Sequence, residues 1–334
     1  MIATYKKLVT LMLVMTLCLL MLGAWVRLTD AGLGCPDWPG CYGNLLPSSS
    51  KEKIAQAVQA QGGEHGPVSM GKAWREMIHR YLAKALGLVL IIATAIAWLK
   101  RRTLHQNPWF TTTLLGVVIL QGLFGMWTVT LKLMPIIVTG HLMGGMLVFA
   151  LLVWLWQRQQ TPAGTIDAEP VAALRQWAIL GLVLLTVQIF LGGWTSTNYA
   201  ALACNDLPTC QAKWWPDMHW RDGFDFTRDL GKTDAGGNIS LSALTAMHFM
   251  HRIGAVVVFF YLSWLGLKTL RTPSMSGVGL ALLAALALQI GLGLSNIVWS
   301  LPLPVAVAHN GGAAVLLATL VVLSFRSAQA TLRI

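Results

Sequence analysis

Residues 76–98, EMIHRYLAKALGLVLIIATAIAW, place a glutamate, a histidine and an arginine at the start of one of the most apolar runs in the chain. The run is long enough to cross a bilayer, because about 20 apolar residues in a helix span the hydrocarbon core. Ionisable groups are costly in such a segment and usually face the interior of a helix bundle. The stretch therefore predicts a transmembrane helix that carries Glu76, His79 and Arg80 near one end.

The whole chain has the composition of a membrane protein. Of its 334 residues, 55% are hydrophobic and only 11% are charged, and the mean hydropathy is +0.62. These values exclude a soluble domain and indicate an all-α polytopic membrane protein. Apolar runs predict eight transmembrane helices, near residues 8–27, 77–98, 111–131, 135–156, 174–196, 243–267, 277–298 and 303–325.

The formal net charge of +11 comes from basic residues at alternate ends of the predicted spans. The positive-inside rule therefore predicts that both termini are cytoplasmic. We expect no nucleic-acid partner, because no basic soluble module is present. The basic residues are Lys6, Lys7, Lys100, Arg101, Arg102, Arg158, Arg175, Lys268, Arg271, Arg326 and Arg333.

Two long polar segments, about residues 29–75 and 197–242, head two similar halves of the chain. GAWVRLTDAGLGCPDWPGC from Gly23 aligns with GGWTSTNYAALACNDLPTC from Gly192. Further on, slightly different offsets superpose Gln121, Gly125, His141 and Gly144 on Gln289, Gly293, His309 and Gly312, and also His79 and Arg80 on His251 and Arg252. This is the pattern of a tandem duplication.

The duplication predicts two tandem four-helix bundles, within residues 1–160 and 171–334. Each half contains an even number of spans, so both halves have the same orientation in the membrane. We therefore expect a pseudo-two-fold axis along the membrane normal to relate them.

Four histidines lie inside predicted spans, as two matched pairs. His79 and His141 are each one or two turns into helices that run inward from the outer face, and His251 and His309 repeat this placement. Two imidazoles at matched depth on facing helices suit axial ligation of heme iron. Hydrogen bonds between helices are the alternative. A zinc site is disfavoured, because it would need three or four ligands and no further Cys, Asp or Glu at this depth completes one in either half.

Small and basic residues near these histidines have two interpretations each. Gly144 and Gly145 follow His141 by one turn, as Gly311 and Gly312 follow His309, and they would admit either a planar macrocycle or close helix packing. Arg80 and Arg252 could bind heme propionates or extend to the membrane interface.

The halves differ at one position of the motif, where Glu76 aligns with His248. Glu76 and His79 share a helix face, so the glutamate is expected to face the histidine cavity. A carboxylate there could move protons or stabilise positive charge. It could also be an acid favoured by the helix N-terminus. The asymmetry favours chemistry in the first half and a permanent cofactor in the second.

The chain has five cysteines. Cys18 falls inside the first span, and we expect it to be buried. Cys35/Cys41 and Cys204/Cys210 are C-x5-C pairs in the polar segments, where we predict a disulfide in each. Thiol exchange with a partner is the open alternative.

Taken together, GAWVRLTDAGLGCPDWPGCYG, EMIHR, TGHLMGG, MHFMHR and VAHNGG resemble the heme A synthase family over almost the whole chain. The resemblance implies oxidation of the C8 methyl group of heme O to a formyl group, through hydroxylated intermediates, to give heme A. It also implies a heme b held by His251 and His309, with substrate heme near His79, His141 and Glu76.

The resemblance further implies a multi-pass protein of the bacterial inner membrane, serving cytochrome oxidase assembly among membrane lipid. Expected partners are heme O synthase and a membrane or quinol-linked electron donor, and a homo-oligomer is possible. A second hypothesis is a bis-His diheme b-type electron-transfer cytochrome without substrate chemistry. Bis-His ligation and duplication fit both, whereas Glu76 opposite His248 and the family motifs favour the enzyme.

Overall fold

A computed structural model describes residues 2–63, 65–104, 106–160, 168–233 and 236–331; the basic residue Arg333 lies outside these ranges. Within them the regular elements are helices, accompanied by isolated β-bridges. The helices are α1 Ile2–Leu28, α2 Lys51–Ala60, α3 Met70–Leu99, α4 Arg101–Leu104, α5 Trp109–Thr130, α6 Pro135–Gln159, α7 Ala168–Ala172, α8 Arg175–Thr197, α9 Trp220–Gly223, α10 Leu241–Leu270, α11 Ser276–Val298 and α12 Leu303–Thr331, with a 3-10 helix at Pro47–Ser50.

The predicted all-α membrane fold is confirmed. Eight helices among the described residues are long and apolar enough to cross a membrane, namely α1, α3, α5, α6, α8 together with the end of α7, α10, α11 and α12. They coincide with the eight predicted spans. The protein is therefore a multi-pass membrane protein.

Helix α3 begins several residues before the apolar run that predicted it. Ser69 caps its N-terminus by accepting a hydrogen bond from the Lys72 N–H at 3.2 Å. In the second half, Ser240 caps α10 through the Ala243 N–H at the same distance. Each helix has 30 residues, or roughly 45 Å at 1.5 Å per residue, which exceeds the hydrocarbon thickness of about 30 Å. Their first turns therefore extend toward the polar segments.

The chain divides into two compact units. One comprises Met1–Val148 with Phe226–Leu230, and the other comprises Phe149–Asp225 with Gly231–Ile334. In the first unit α3 packs against α1 and α5; in the second, α8 contacts α10 and α12, and α11 packs between α10 and α12. The domain bounds 1–160 and 171–334 and the pseudo-two-fold axis stay predictions.

The first polar segment folds onto the start of α3. Cys35 and Cys41 form a fully buried cluster with Ile54 of α2 and with Ala73 and Met77 of α3. This packing fixes the loop directly over the end of the helix that carries Glu76 and His79.

Cys18 is not buried, so that expectation was wrong. It lies on the exposed side of α1, whereas Met12, Thr16 and Leu20 form the buried side of the same helix. An apolar run does not distinguish the two sides, because both lipid and helix neighbours accept apolar side chains.

Candidate functional site

His79 on α3 and His141 on α6 lie side by side in the first unit. Their ring centroids are 6.4 Å apart and the ring planes meet at 68°. An ion held about 2.0–2.1 Å from one nitrogen of each ring, the usual metal–imidazole distance, would separate the centroids by roughly 6 Å. The spacing therefore suits one metal ion between the two imidazoles.

A glycine on the preceding transmembrane helix faces every one of the four histidines. A Cβ added to Gly192 would lie only 2.8 Å from His251 Cε1, which is closer than Cβ atoms come to non-bonded atoms in proteins. The other pairs and closest distances are Gly23 with His79 at 3.3 Å, Gly125 with His141 at 3.3 Å and Gly293 with His309 at 3.1 Å. The glycines thus leave the space that the imidazoles occupy.

The glycines that follow the histidines serve helix packing. A Cβ on Gly144 would lie 2.1 Å from Gln121 Oε1, and one on Gly312 would lie 2.4 Å from Gln289 Oε1. A glutamine amide fills each of these notches. These contacts fit the close-packing interpretation of Gly144 and Gly312.

Glu76 is engaged by the loop above it. Its side chain is 7% exposed, and Oε2 accepts a hydrogen bond from the Cys35 N–H at 2.9 Å. Oε1 forms an ion pair with Arg80 Nη2 one turn along the helix. Arg80 Nη1 donates to the carbonyls of Asp37 at 2.8 Å and Gly40 at 2.6 Å. Glu76 and Arg80 together hold the Cys35–Cys41 loop on α3.

Arg252 makes the corresponding contacts in the second half. Its Nη1 donates to the carbonyls of Asp206 at 2.9 Å and Thr209 at 2.8 Å, and its Nη2 donates to the Cys204 carbonyl at 2.7 Å. In this structure the guanidinium groups of Arg80 and Arg252 bind backbone carbonyls of the polar loops. Their predicted contacts with heme propionates stay predictions.

His248 takes the place of Glu76. Its Nδ1 lies 3.3 Å from the Cys204 nitrogen, and its Nε2 lies 3.3 Å from Arg252 Nε. A neutral imidazole can accept only one of these two hydrogen bonds, whereas a carboxylate accepts several. The Cys35 N–H of the first loop is therefore bound by a carboxylate, whereas the Cys204 N–H of the second faces only a neutral acceptor.

Both predicted disulfides are present. Cys35 is joined to Cys41 and Cys204 to Cys210, each with a Cα–Cα distance of 4.8 Å. Each loop is closed further by an aspartate, and Asp206 accepts hydrogen bonds from the Thr209 hydroxyl at 2.5 Å and from the Gln211 N–H at 2.7 Å. Hydrogen bonds from the Thr209 hydroxyl and then from the Ala212 and Gln211 N–H groups lower the pKa of Asp206 to about 2.

Comparison with known proteins identifies the family of this chain. The family described as cytochrome oxidase assembly protein matches residues 6–321. The chain belongs to this family. The heme A synthase of Shewanella oneidensis is 40% identical over 313 residues, which cover 94% of this chain and 93% of that protein. The heme A synthases of Caulobacter vibrioides and Caulobacter sp. are 28% and 26% identical, and the matches cover 93% and 94% of this chain and 92% and 93% of those proteins.

The residues of this member of the heme A synthase family fit a heme with two imidazole ligands. His141 Nδ1 and His309 Nδ1 are buried without a hydrogen-bond partner in the described part of the chain. Such a nitrogen costs about 1–3 kcal/mol when it is left unpaired, and a metal ligand bond would remove that cost. Across the same residues no group of three or more His, Cys, Asp or Glu side chains is placed to hold a metal ion.

Proposed function

We propose that this chain is a heme A synthase, an oxidoreductase that converts the C8 methyl group of heme O into the formyl group of heme A. Relatives that match 94% of the chain and bear this name support the proposal. The structural observation that carries it is the pair His79 and His141, whose ring centroids are 6.4 Å apart inside a membrane bundle.

Within this proposal the two histidine pairs have different tasks. His251 and His309 hold a permanent heme b, and His79 and His141 hold the iron of the substrate heme O. The alignment of Glu76 with His248 supports the division, because only the first half carries a carboxylate one turn before its first histidine, and a carboxylate can take part in acid–base chemistry. Bound heme b supplies one-electron transfer.

Glu76 has two roles in the proposed mechanism. It anchors the Cys35 N–H and the Arg80 guanidinium, and so fixes the loop at the mouth of the His79 site. The same carboxylate would stabilise positive charge that develops near the reacting methyl group, or would accept a proton released there while an external oxidant takes the electrons of each oxidation step. Its buried position strengthens the electrostatic effect, because little water screens it.

The protein is proposed to lie in the bacterial inner membrane with both termini in the cytoplasm, as the distribution of Lys and Arg indicates. Large apolar side chains on the helix exteriors fit contact with lipid: Leu88 is 59% exposed, Ile119 60% and Phe260 67%. Proposed partners are heme O synthase, a membrane or quinol-linked electron donor and a second copy of the chain.

Heme analysis of the purified protein tests the function. Cells that supply heme O should yield heme A with the intact chain, and the protein should carry heme b with a low-spin, bis-imidazole spectrum. Heme b with no conversion of heme O would instead support the bis-His electron-transfer cytochrome, which the named relatives do not favour.

A further inference from the structure

Three of the four histidines have a glutamine beside them on the preceding transmembrane helix. In the first unit, Gln121 Nε2 donates to the backbone carbonyl of His141. Its Oε1 occupies the notch at Gly144, where an added Cβ would lie 2.1 Å away. The amide is therefore held flat against α6 at the turn that carries the histidine.

Gln188 on α8 repeats this arrangement against α10 and also reaches the imidazole. Its Nε2 lies 3.0 Å from the His251 carbonyl and 3.0 Å from His251 Nδ1. Its Oε1 sits over Gly254, again 2.1 Å from the position of an added Cβ.

Gln289 on α11 completes the set against α12. Its Nε2 lies 3.4 Å from His309 Nε2, and its Oε1 sits over Gly312. The amide oxygens of Gln188 and Gln289 are both buried with no hydrogen-bond partner in the described residues. Each glutamine thus keeps an unused acceptor close to an imidazole.

The fourth site is built differently. The offsets of the repeat align Leu19 with Gln188 and Leu82 with Gly254, so both the amide and its notch are missing around His79. Both positions carry apolar leucine side chains, so neither offers a side-chain acceptor to the His79 ring.

The chemistry of a ligating imidazole explains why the partner matters. A neutral ring carries one proton, so the nitrogen opposite the metal bond must be an N–H donor. Metal-bound histidines almost always donate this proton to a carbonyl, carboxylate or water. A backbone carbonyl offers only an acceptor, whereas a glutamine amide offers either N–H or oxygen depending on its rotation.

We propose that Gln188 and Gln289 are positioning residues for His251 and His309. In the heme-loaded protein each amide turns so that its oxygen accepts the imidazole N–H, which leaves the lone pair of the other ring nitrogen for iron. The carbonyl of His251 keeps its helical hydrogen bond when the amide turns. The inference rests on the proposed heme ligation by His251 and His309.

Redox titration of the heme b in the purified full-length protein tests the proposal. An acceptor on the ligating imidazole strengthens its donation to iron and favours the ferric state. Gln188→Leu and Gln289→Leu should therefore favour ferrous heme by about tenfold, a rise in midpoint potential of about 59 mV for one electron. Gln188→Glu and Gln289→Glu keep an acceptor with more negative charge and should lower the potential. Gln121→Leu, the same change in the first unit, should leave it unchanged.

Opposite shifts from leucine and glutamate would support positioning, because a packing defect has no reason to reverse sign. Potentials that match the unsubstituted protein in both leucine variants would overturn it. If a leucine variant loses its heme, the glutamate variant decides: retained heme with a lowered potential supports the proposal, and an unchanged potential refutes it. An unsubstituted protein without a bis-imidazole heme would refute the proposed ligation itself, which the spectrum shows before any glutamine is changed.

Discussion

Replacement of Glu76 by alanine separates the two roles that we assign to this carboxylate. The side chain accepts the Cys35 N–H at 2.9 Å and pairs with Arg80, and it is 7% exposed. We expect the Glu76→Ala protein to keep heme b and to bind heme O, yet to accumulate heme O or its hydroxylated intermediate in place of heme A.

Two effects of Glu76→Ala can be given a magnitude, one on stability and one on turnover. Removing one partner of a buried ion pair typically lowers the free energy of unfolding by about 3–5 kcal/mol. In Glu76→Ala, Arg80 would keep its hydrogen bonds to two loop carbonyls but lose the carboxylate that neutralises its charge. The exposed Glu52 on α2 gives a matched control, since Glu52→Ala should change the free energy of unfolding by about 0.5 kcal/mol or less. Loss of an acid–base group lowers turnover by about 10²–10⁴-fold.

Glu76→His tells the chemical role from the structural one, because it installs the residue that the second half carries at this position. We expect it to keep an acceptor for the loop while turnover stays low. The assays are chromatography of extracted hemes, for turnover, and unfolding by detergent titration, for stability. Near-normal heme A from Glu76→Ala would remove the carboxylate from the mechanism. Restored turnover in Glu76→His would make its role structural.

Three further predictions follow from the site. His251→Ala or His309→Ala should abolish the low-spin bis-imidazole spectrum; survival of that spectrum would reverse the assignment of the two units. Gly293→Ala should weaken heme b binding, because the added Cβ would lie 3.1 Å from the His309 ring and displace it. Gly291→Ala on the same helix is the control: its Cβ meets no atom within 4 Å, so difference spectra should show normal heme b binding. The pKa of Asp206, about 2, lies below the ordinary value, so the Asp206 carboxylate should stabilise the loop at neutral pH and lose this effect as the pH falls toward 2. Limited proteolysis across this pH range measures the stability of the loop. Equal resistance at both ends of the range would contradict a stabilising role for Asp206.

The eight spans could be predicted because a bilayer imposes a strong requirement on sequence. Every backbone polar group in lipid must be satisfied within the protein itself, so an apolar run long enough for a transmembrane helix has few other outcomes. The start of α3 was harder to predict. Ser69 caps the helix through the Lys72 N–H, and such a polar cap lies outside any apolar run.

The pairing of histidines was likewise visible, because the duplication repeats them with their neighbours. The surroundings of Glu76 could not be predicted from the sequence. Spacing places it on the His79 face of the helix, but its contacts depend on the Cys35–Cys41 loop, which folds back over α3 from about 40 residues away.

The sequence by itself therefore determined the membrane fold, the duplication, the two disulfides and the four histidines, since each depends on composition or on spacing along one helix or loop. Only the tertiary structure decided which neighbour each side chain contacts. The glutamine amide in a glycine notch of the next helix, the glycine against each imidazole and the ion pair that holds the loop all join segments far apart in the chain. Their geometry depends on how closely two helices approach, and that distance follows from packing between helices rather than from any local pattern.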